Sequence, residues 1–392
     1  RYITMKLADS ASKLEGVPMF KLLARAKELE AKGKRIFHFE MGEPDFPSPD
    51  HIINAAISAL KSGDTHYTLS MGLPELREEI CRATNKDLGF RPNIDQVLVT
   101  PGGHSVIYLA LRCLVNPGEE VIVSDPGFPV YYSAVKYIGA KIITVPIKEE
   151  NNFRMNPADI RKKISKNTKL IIINSPHNPT GAVLAKEEIE EIALIAQDNS
   201  VFLLTDEIYS RMIYSLHHYS PAIKDGCQQR TIIINGFSKS HAMTGWRLGY
   251  AIGPKEVIEK MNLLLQTIIA CHSPFIQRGG ISALTGSQRA VSLMMEKYKK
   301  RRDVIVKGLN SLPGVSCLTP DGAIYAFPNI SGTGLTSQEF SDLMLEEAGV
   351  ALLPGTNFGE CGKGYARLCF ATSVDIIKEG IEKMRTALAQ RI

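Results

Sequence analysis

The chain of 392 residues lacks a strong charge imbalance, a C-x-x-C pair and any long apolar run. Its formal net charge of +5, from 46 lysines and arginines against 41 aspartates and glutamates, is small for this length. It gives no reason to expect nucleic acid or an anionic membrane as a partner. The densest basic cluster, Lys297, Lys299, Lys300, Arg301 and Arg302, is flanked by Glu296 and Asp303 and reads as a solvated helix face. The seven cysteines are odd in number and include no close pair, as expected of reduced, buried thiols in a cytoplasmic protein. No histidine spacing suits a metal; His217 and His218 are adjacent and cannot both turn to one ion from regular structure, so no metal is expected. Arg1 to Lys13 has no apolar leader core, and no stretch could span a bilayer, so the expectation is a soluble protein. Neither G-x-x-x-x-G-K-[ST] nor G-x-G-x-x-G occurs, which argues against nucleoside triphosphates and dinucleotides.

What is present is alternation. Apolar runs at Val97–Val99, Val121–Ser124, Ile142–Val145, Leu170–Asn174, Val201–Thr205, Ile232–Ile234 and Leu248–Ile252 are separated mostly by helical patterns. Strands alternating with helices predict an α/β domain with a mostly parallel sheet flanked by helices, spanning residues 50–286. After about Ser287 a long charged amphipathic helix leads into less regular elements, and the domain change is expected inside that helix. Short strands are expected near Val315–Leu318, Ala323–Phe327, Val350–Leu353 and Ala366–Phe370, with helices at Ser337–Ala348 and Val374–Ala389. These suit a smaller α+β domain of residues 287–392, with residues 1–49 packed on it. In that N-terminal part, Val17 to Gly33 has helical periodicity, and three prolines stiffen the loop from Gly42 to Pro49.

Chemistry-bearing residues recur at strand ends, where open α/β sheets place their ligands. Lys239 and Arg247 follow the Thr231–Ile234 run in the stretch TIIINGFSKSHAMTGWRLGY. Thr100-Pro101-Gly102-Gly103-His104 is a glycine turn opening a helix, whose free backbone N–H groups can hold a phosphate. Phe128 could stack on a planar group or simply cover the core. Asn178 lies in a proline-braced turn, Asn174-Ser175-Pro176-His177-Asn178-Pro179, as a rigid donor. Asp206 ends an apolar strand, and Arg367 sits within another; each buried charge requires a partner. Singly, each has an ordinary structural explanation. Together they meet the needs of pyridoxal phosphate: a lysine for an imine, an acid for the pyridinium, a donor pair for the phenolate, a ring to stack, and a phosphate cradle.

The motifs GEPDF, NSPHNPTG, TDEIY, SKSHAMTGWRLGY and ARLCFATS, in this order, resemble those of fold-type-I, class I aminotransferases of the aspartate aminotransferase-like subgroup. The resemblance runs from about Gly16 to Met384. It implies that Lys239 is the covalent anchor of the cofactor and that Asp206 pairs with its ring nitrogen. Tyr209 and Asn178 would contact the phenolic oxygen, and Phe128 would stack. Gly103 and His104 amides would cradle the phosphate with Arg247. Tyr67 would reach the phosphate of a neighbouring subunit, making a homodimer with shared sites the expected minimum. Arg367 would grip the substrate α-carboxylate, with Gly42 lining the same pocket. Many relatives carry a hydroxyl three residues before the lysine; here that position is Gly236, and Ser238 is a possible substitute contact.

The implied activity is transfer of an amino group from an L-amino acid to a 2-oxo acid, aspartate and 2-oxoglutarate being the default pair. Aromatic, alanine or other donors, or C–S lyase chemistry, use similar scaffolds. A ligand-binding regulator on the same scaffold usually carries a helix-turn-helix domain, for which Arg1 to Gly16 is too short.

Overall fold

The computed structural model describes residues 5–14, 16 and 18–390. Arg1–Thr4, within the segment expected to lack a leader, and Val17, expected to open the first helix, lie outside the described residues.

In chain order the strands are β1 (Phe37–His38), β2 (Val97–Thr100), β3 (Glu120–Asp125), β4 (Lys141–Pro146), β5 (Thr168–Asn174) and β6 (Phe202–Asp206). They continue as β7 (Thr231–Gly236), β8 (Gly249–Ile252), β9 (Tyr325–Ala326), β10 (Val350–Ala351), β11 (Leu353–Pro354) and β12 (Ala366–Cys369). Seven form one sheet in the order β2-β8-β7-β6-β5-β3-β4. Strand β8 runs antiparallel to both neighbours, while every other pairing in the sheet is parallel. The α/β architecture read from the alternation is therefore the one present.

A two-residue period divides the apolar residues between the faces of this sheet. Leu98, Val121, Val123, Leu170, Ile172, Leu204, Ile232 and Ile234 share one core. Ile122, Ile171, Ile173 and Leu203 belong to a second, and Val97, Val99, Ile233 and Ile252 to a third. Helices cover both faces, so the strands read as continuous apolar runs. Because β2, β3, β5, β6 and β7 point the same way, their carboxyl ends meet along one edge. That edge is the floor of the site.

Residues beyond the sheet build another core. Helices Arg289–Leu309 and Val374–Ala389 bring Tyr298, Ile305, Leu309, Ile377, Ile381 and Met384 against Phe37, Phe39, Phe340 and Met344. Two short sheets accompany them, β1 with β10 and β11-β12-β9.

Several expectations need correction here. Val350–Leu353 is not one strand: Val350–Ala351 pairs with β1, and Leu353–Pro354 pairs with β12. Val315–Leu318 forms no strand, because the Asn310 side chain satisfies both backbone groups of Cys317, and only Ser316 bridges Asn329. The regular helix from Ser337 ends at Leu343 and widens into a π turn at Met344–Ala348. The long charged helix expected after about Ser287 is present at Arg289–Leu309, but residues 286–288 separate it from the preceding helix Pro274–Thr285. Within the basic cluster, Arg301 and Arg302 are buried rather than solvated. Asp45 receives both Arg301 Nη atoms at 2.7 and 2.9 Å, and Arg302 stacks on Tyr214. Ion pairing and ring contacts offset their desolvation. Among the described residues no helix is long and apolar enough to cross a membrane.

Candidate active site

A cavity of about 560 Å³ opens where the strand ends meet the core built beyond the sheet, a size typical of small-molecule sites. Gly42, Gly103, His104, Phe128, Asn178, Asp206, Tyr209, Ser238, Lys239, Arg247 and Arg367 all line it. Tyr67 does not; it is 89% exposed on the surface. Gly236 lies behind the wall, paired in register with Gly249 of β8.

Lys239 follows β7 and is half-buried at the cavity floor, its Nζ donating to the Gly42 carbonyl. Burial pulls its pKa down to about 8, with Arg367 and Arg247 adding to the effect and Cys369 and Glu43 opposing it. The lowered pKa enlarges the neutral fraction of the amine, the form that both nucleophilic attack and proton abstraction require.

Asp206 terminates β6. Its carboxylate accepts from the Tyr131 hydroxyl at 2.7 Å and from the Ile208 N–H at 3.2 Å. Burial nevertheless raises its pKa to about 6, the two hydrogen bonds acting in the opposite direction. A cation in the cavity would pair with this carboxylate and return it to the charged form.

The upper wall holds hydrogen-bonding groups in fixed orientations. The Asn178 N–H donates to Asn174 Oδ1 at 2.8 Å, and Arg367 Nη1 donates to Asn178 Oδ1 at 3.1 Å. That contact commits the amide oxygen and turns the NH2 elsewhere. Arg367 is 3% exposed; Nη2 donates to the Glu40 carbonyl, and its Nε is buried with no partner. The Tyr209 hydroxyl lies 2.6 Å from that of Tyr325. Phe128 stands edge-on to His104 and Tyr131, each 5.5 Å away between ring centres.

At the opposite end, Gly103 and His104 open the helix Gly103–Leu114, so their N–H groups have no carbonyl four residues back. Arg247 projects beside this turn: a Cβ on Gly102 would come within 2.5 Å of its Nη2. His104 adds no charge, since burial, Arg247 and Lys239 push its pKa down to about 4.

Sequence reasoning missed Tyr131, Tyr325, Asn174 and the apolar cover from Pro18, Met19 and Phe20. Asn174 was inside a quoted motif, and its position at a strand end was a usable signal. Tyr131 sits in an apolar helical pattern and Tyr325 in a two-residue strand, so neither had one.

The cavity is suited to carbonyl chemistry on an anionic amine: a lysine of lowered basicity stands between a buried acid and two guanidinium groups. Comparison with known proteins agrees. The family model described as aminotransferase class I and II matches residues 34–384. An aspartate aminotransferase of Pyrococcus horikoshii is 42% identical, covering 92% of this chain and 93% of its own. The aromatic-amino-acid aminotransferase 2 of Thermococcus litoralis is 39% identical over 99% of both chains. Among solved structures, the aspartate aminotransferase of Thermus thermophilus with maleate has a TM-score of 0.94 at 33% identity, covering 98% of this chain and 100% of its own. The chain belongs to aminotransferase class I and II. It is a transaminase of fold type I, dependent on pyridoxal phosphate and acting on amino acids and 2-oxo acids.

Proposed function

We propose that Lys239 anchors the cofactor covalently and that the surrounding residues divide its recognition as follows. Asp206 pairs with the ring nitrogen, Asn178 and Tyr209 donate to the phenolic oxygen, and Phe128 covers a ring face. The Gly103 and His104 amides, Ser238 and Arg247 hold the phosphate. Arg367 takes the substrate α-carboxylate beside Gly42. The residues fit the group on their own evidence: Arg367 Nε is a buried donor without a partner, and Asp206 is a buried acid that a ring cation would satisfy. The observation that carries the reading is the placement of Lys239, whose amine shares one cavity with Asp206, the Gly103–His104 turn, Arg247 and Arg367.

Bound pyridoxal phosphate supplies an electron sink for the charge that develops at the substrate Cα. The chain does the rest. Lys239 Nζ in its neutral form accepts the proton leaving Cα, and Arg367 fixes that carbon by its carboxylate. A Lys239→Ala protein should lose at least about 10³-fold in transamination rate. Normal turnover in that variant would sink the assignment.

Aspartate and 2-oxoglutarate are the default pair, supported by the 42% identical relative named for aspartate and by the dicarboxylate in the Thermus thermophilus structure. A second reading, aromatic donors, is favoured by the apolar wall of Met19, Phe20, Val130 and Phe358. Among the described lining residues, Lys239, Arg247 and Arg367 are the cations, which leaves no further one for a distal carboxylate. An amino-acid panel scored by loss of the cofactor's visible absorption separates the two; release of ammonia and thiol instead of a 2-oxo acid would indicate a lyase.

The working unit is a homodimer with Tyr67 reaching the partner's phosphate. Support comes from exposed Tyr67 and Leu69, on a loop tied by a Gln266–Ser70 hydrogen bond of 2.7 Å to the helix Lys255–Ile269, whose Leu263 and Ile268 are also exposed. Residues 50–286 form the large domain, and residues 1–49 with 287–392 the small one; the packing of Phe37 and Phe39 into the core built beyond the sheet supports this division. The free state of all seven cysteines supports a cytoplasmic location.

A further inference from the structure

Tyr325 is fully enclosed, 1% exposed, and touches three of the groups assigned above. Strand β9 places it opposite Cys369 of β12, two residues from Arg367. Its hydroxyl is 2.6 Å from that of Tyr209, and its ring stands edge-on to the Tyr209 ring at 5.7 Å. The Arg367 guanidinium carbon lies 4.5 Å over the Tyr325 ring, with Phe358 at 5.0 Å. A side chain on Gly42 would collide with the Tyr325 phenol, which accounts for glycine at that position.

Two hydroxyls in contact share one hydrogen between them. If Tyr209 directs its own hydrogen into the cavity, its oxygen must accept from Tyr325. Both phenols stay protonated at neutral pH: burial lifts Tyr209 well above the usual range and Tyr325 to about 12. The pair therefore carries two hydrogens, and one arrangement aims the second into the cavity.

We propose that Tyr325 is a positioning residue serving both ends of the substrate site. Its hydroxyl orients the Tyr209 proton toward the cofactor's ring oxygen, and its ring holds the Arg367 fork flat for the α-carboxylate. This rests on the assignment of Tyr209 and Arg367 made above. A hydrogen bond donated to Tyr209 makes Tyr209 the stronger donor. A stronger donor competes for the ring oxygen with the neighbouring protonated nitrogen contributed by Lys239, so that nitrogen loses its proton at lower pH. Removing the Tyr325 hydroxyl has the reverse effect.

The test uses the cofactor-loaded protein without substrate, titrating its visible absorption against pH. Tyr325→Phe should raise the midpoint by about half a pH unit and leave the amino-acid KM within about twofold, because the ring remains. Tyr325→Leu should raise the midpoint similarly and also raise KM about tenfold. Tyr209→Phe should move the midpoint further, and adding Tyr325→Phe to it should change nothing more, whereas a merely structural role would add. If Tyr209→Phe leaves the midpoint unmoved, the assignment of Tyr209 fails. If Tyr209→Phe moves it and Tyr325→Phe does not, the proposal for Tyr325 fails alone. An unchanged KM in Tyr325→Leu overturns the ring's part.

Discussion

Arg247 and Arg367 bring the same head group to the same cavity from opposite surroundings. Arg247 is exposed, its backbone in the left-handed region at φ 53°, and its Nη1 donates to the Thr244 carbonyl at 2.8 Å. Beside it lies main chain, the Gly102–Gly103 turn at the helix start, with the His104 and Lys239 side chains near enough to feel its charge. Arg367 is enclosed between two rings, with Asn178 and the Glu40 carbonyl on its Nη atoms. One end of the site presents backbone dipoles in contact with water; the other isolates a charge in an aromatic slot. Such surroundings suit a group that stays bound at the first end and one that is exchanged at every turnover at the second. A desolvated fork gains more from a matching anion, and discriminates more sharply, than an exposed one.

The contrast is tested most severely at Arg367. Arg367→Lys keeps the charge but loses the planar fork, leaving Asn178 Oδ1 or the Glu40 carbonyl without its donor. A fall of about 100- to 1000-fold in kcat/KM is expected, chiefly through KM. A loss below tenfold would mean that the slot is not the carboxylate site.

Asp206 asks whether the floor is built for stability or for the cofactor. In the cofactor-free protein its carboxyl holds a proton up to about pH 6, against an ordinary 3.8. Over that interval the folded state binds more protons than the unfolded one, so stability falls as pH rises and stays lower above it. The difference amounts to about 3 kcal/mol. Asp206→Asn, uncharged throughout, should therefore melt higher than the parent at pH 7 without cofactor, retain no advantage at pH 4, and bind the cofactor more weakly. Melting curves at both pH values check this.

These residues also mark how far the sequence could be read. Lys239, Asp206 and Asn178 were legible because a parallel sheet aligns its strand ends, and the sheet itself showed in the alternation of runs and helices. Arg367 stood out as a charge inside an apolar strand. Tyr325 and Tyr131 did not: an aromatic in an apolar pattern reads as core, and only tertiary packing turns its hydroxyl toward a partner. The division of Val350–Leu353 between two sheets was hidden for a similar reason, since a continuous apolar run carries no sign of which edge each half will meet. Arg301 and Arg302 looked solvated because their partners, Asp45 and Tyr214, are distant in sequence.

Gly236 sharpens the backbone end. A Cβ there would stand 2.9 Å from Gly249 Cα and 3.0 Å from the Leu248 carbonyl, so the close approach of β7 and β8 requires glycine. Gly236→Ser, which places a hydroxyl three residues before Lys239, should cost about 2 kcal/mol in stability through overpacking and give no gain in cofactor retention. A stable variant with tighter retention would show that the strands can part and that a phosphate ligand is missing.

Arg247 should give the smallest effect, and its salt dependence decides the comparison. An exposed cation paired with a phosphate contributes on the order of 1 kcal/mol, so Arg247→Gln should weaken cofactor retention about tenfold at low ionic strength. Screening shortens from about 10 Å at 0.1 M salt to about 3 Å at 1 M, so parent and variant should converge as salt is raised. Arg367 is desolvated between its rings, and the deficit of Arg367→Lys should hold across the same series. Equal salt sensitivity at the two positions would mean that enclosure of Arg367 does not govern its grip, and the division of the site into a hydrated end and a dry one would have no functional content.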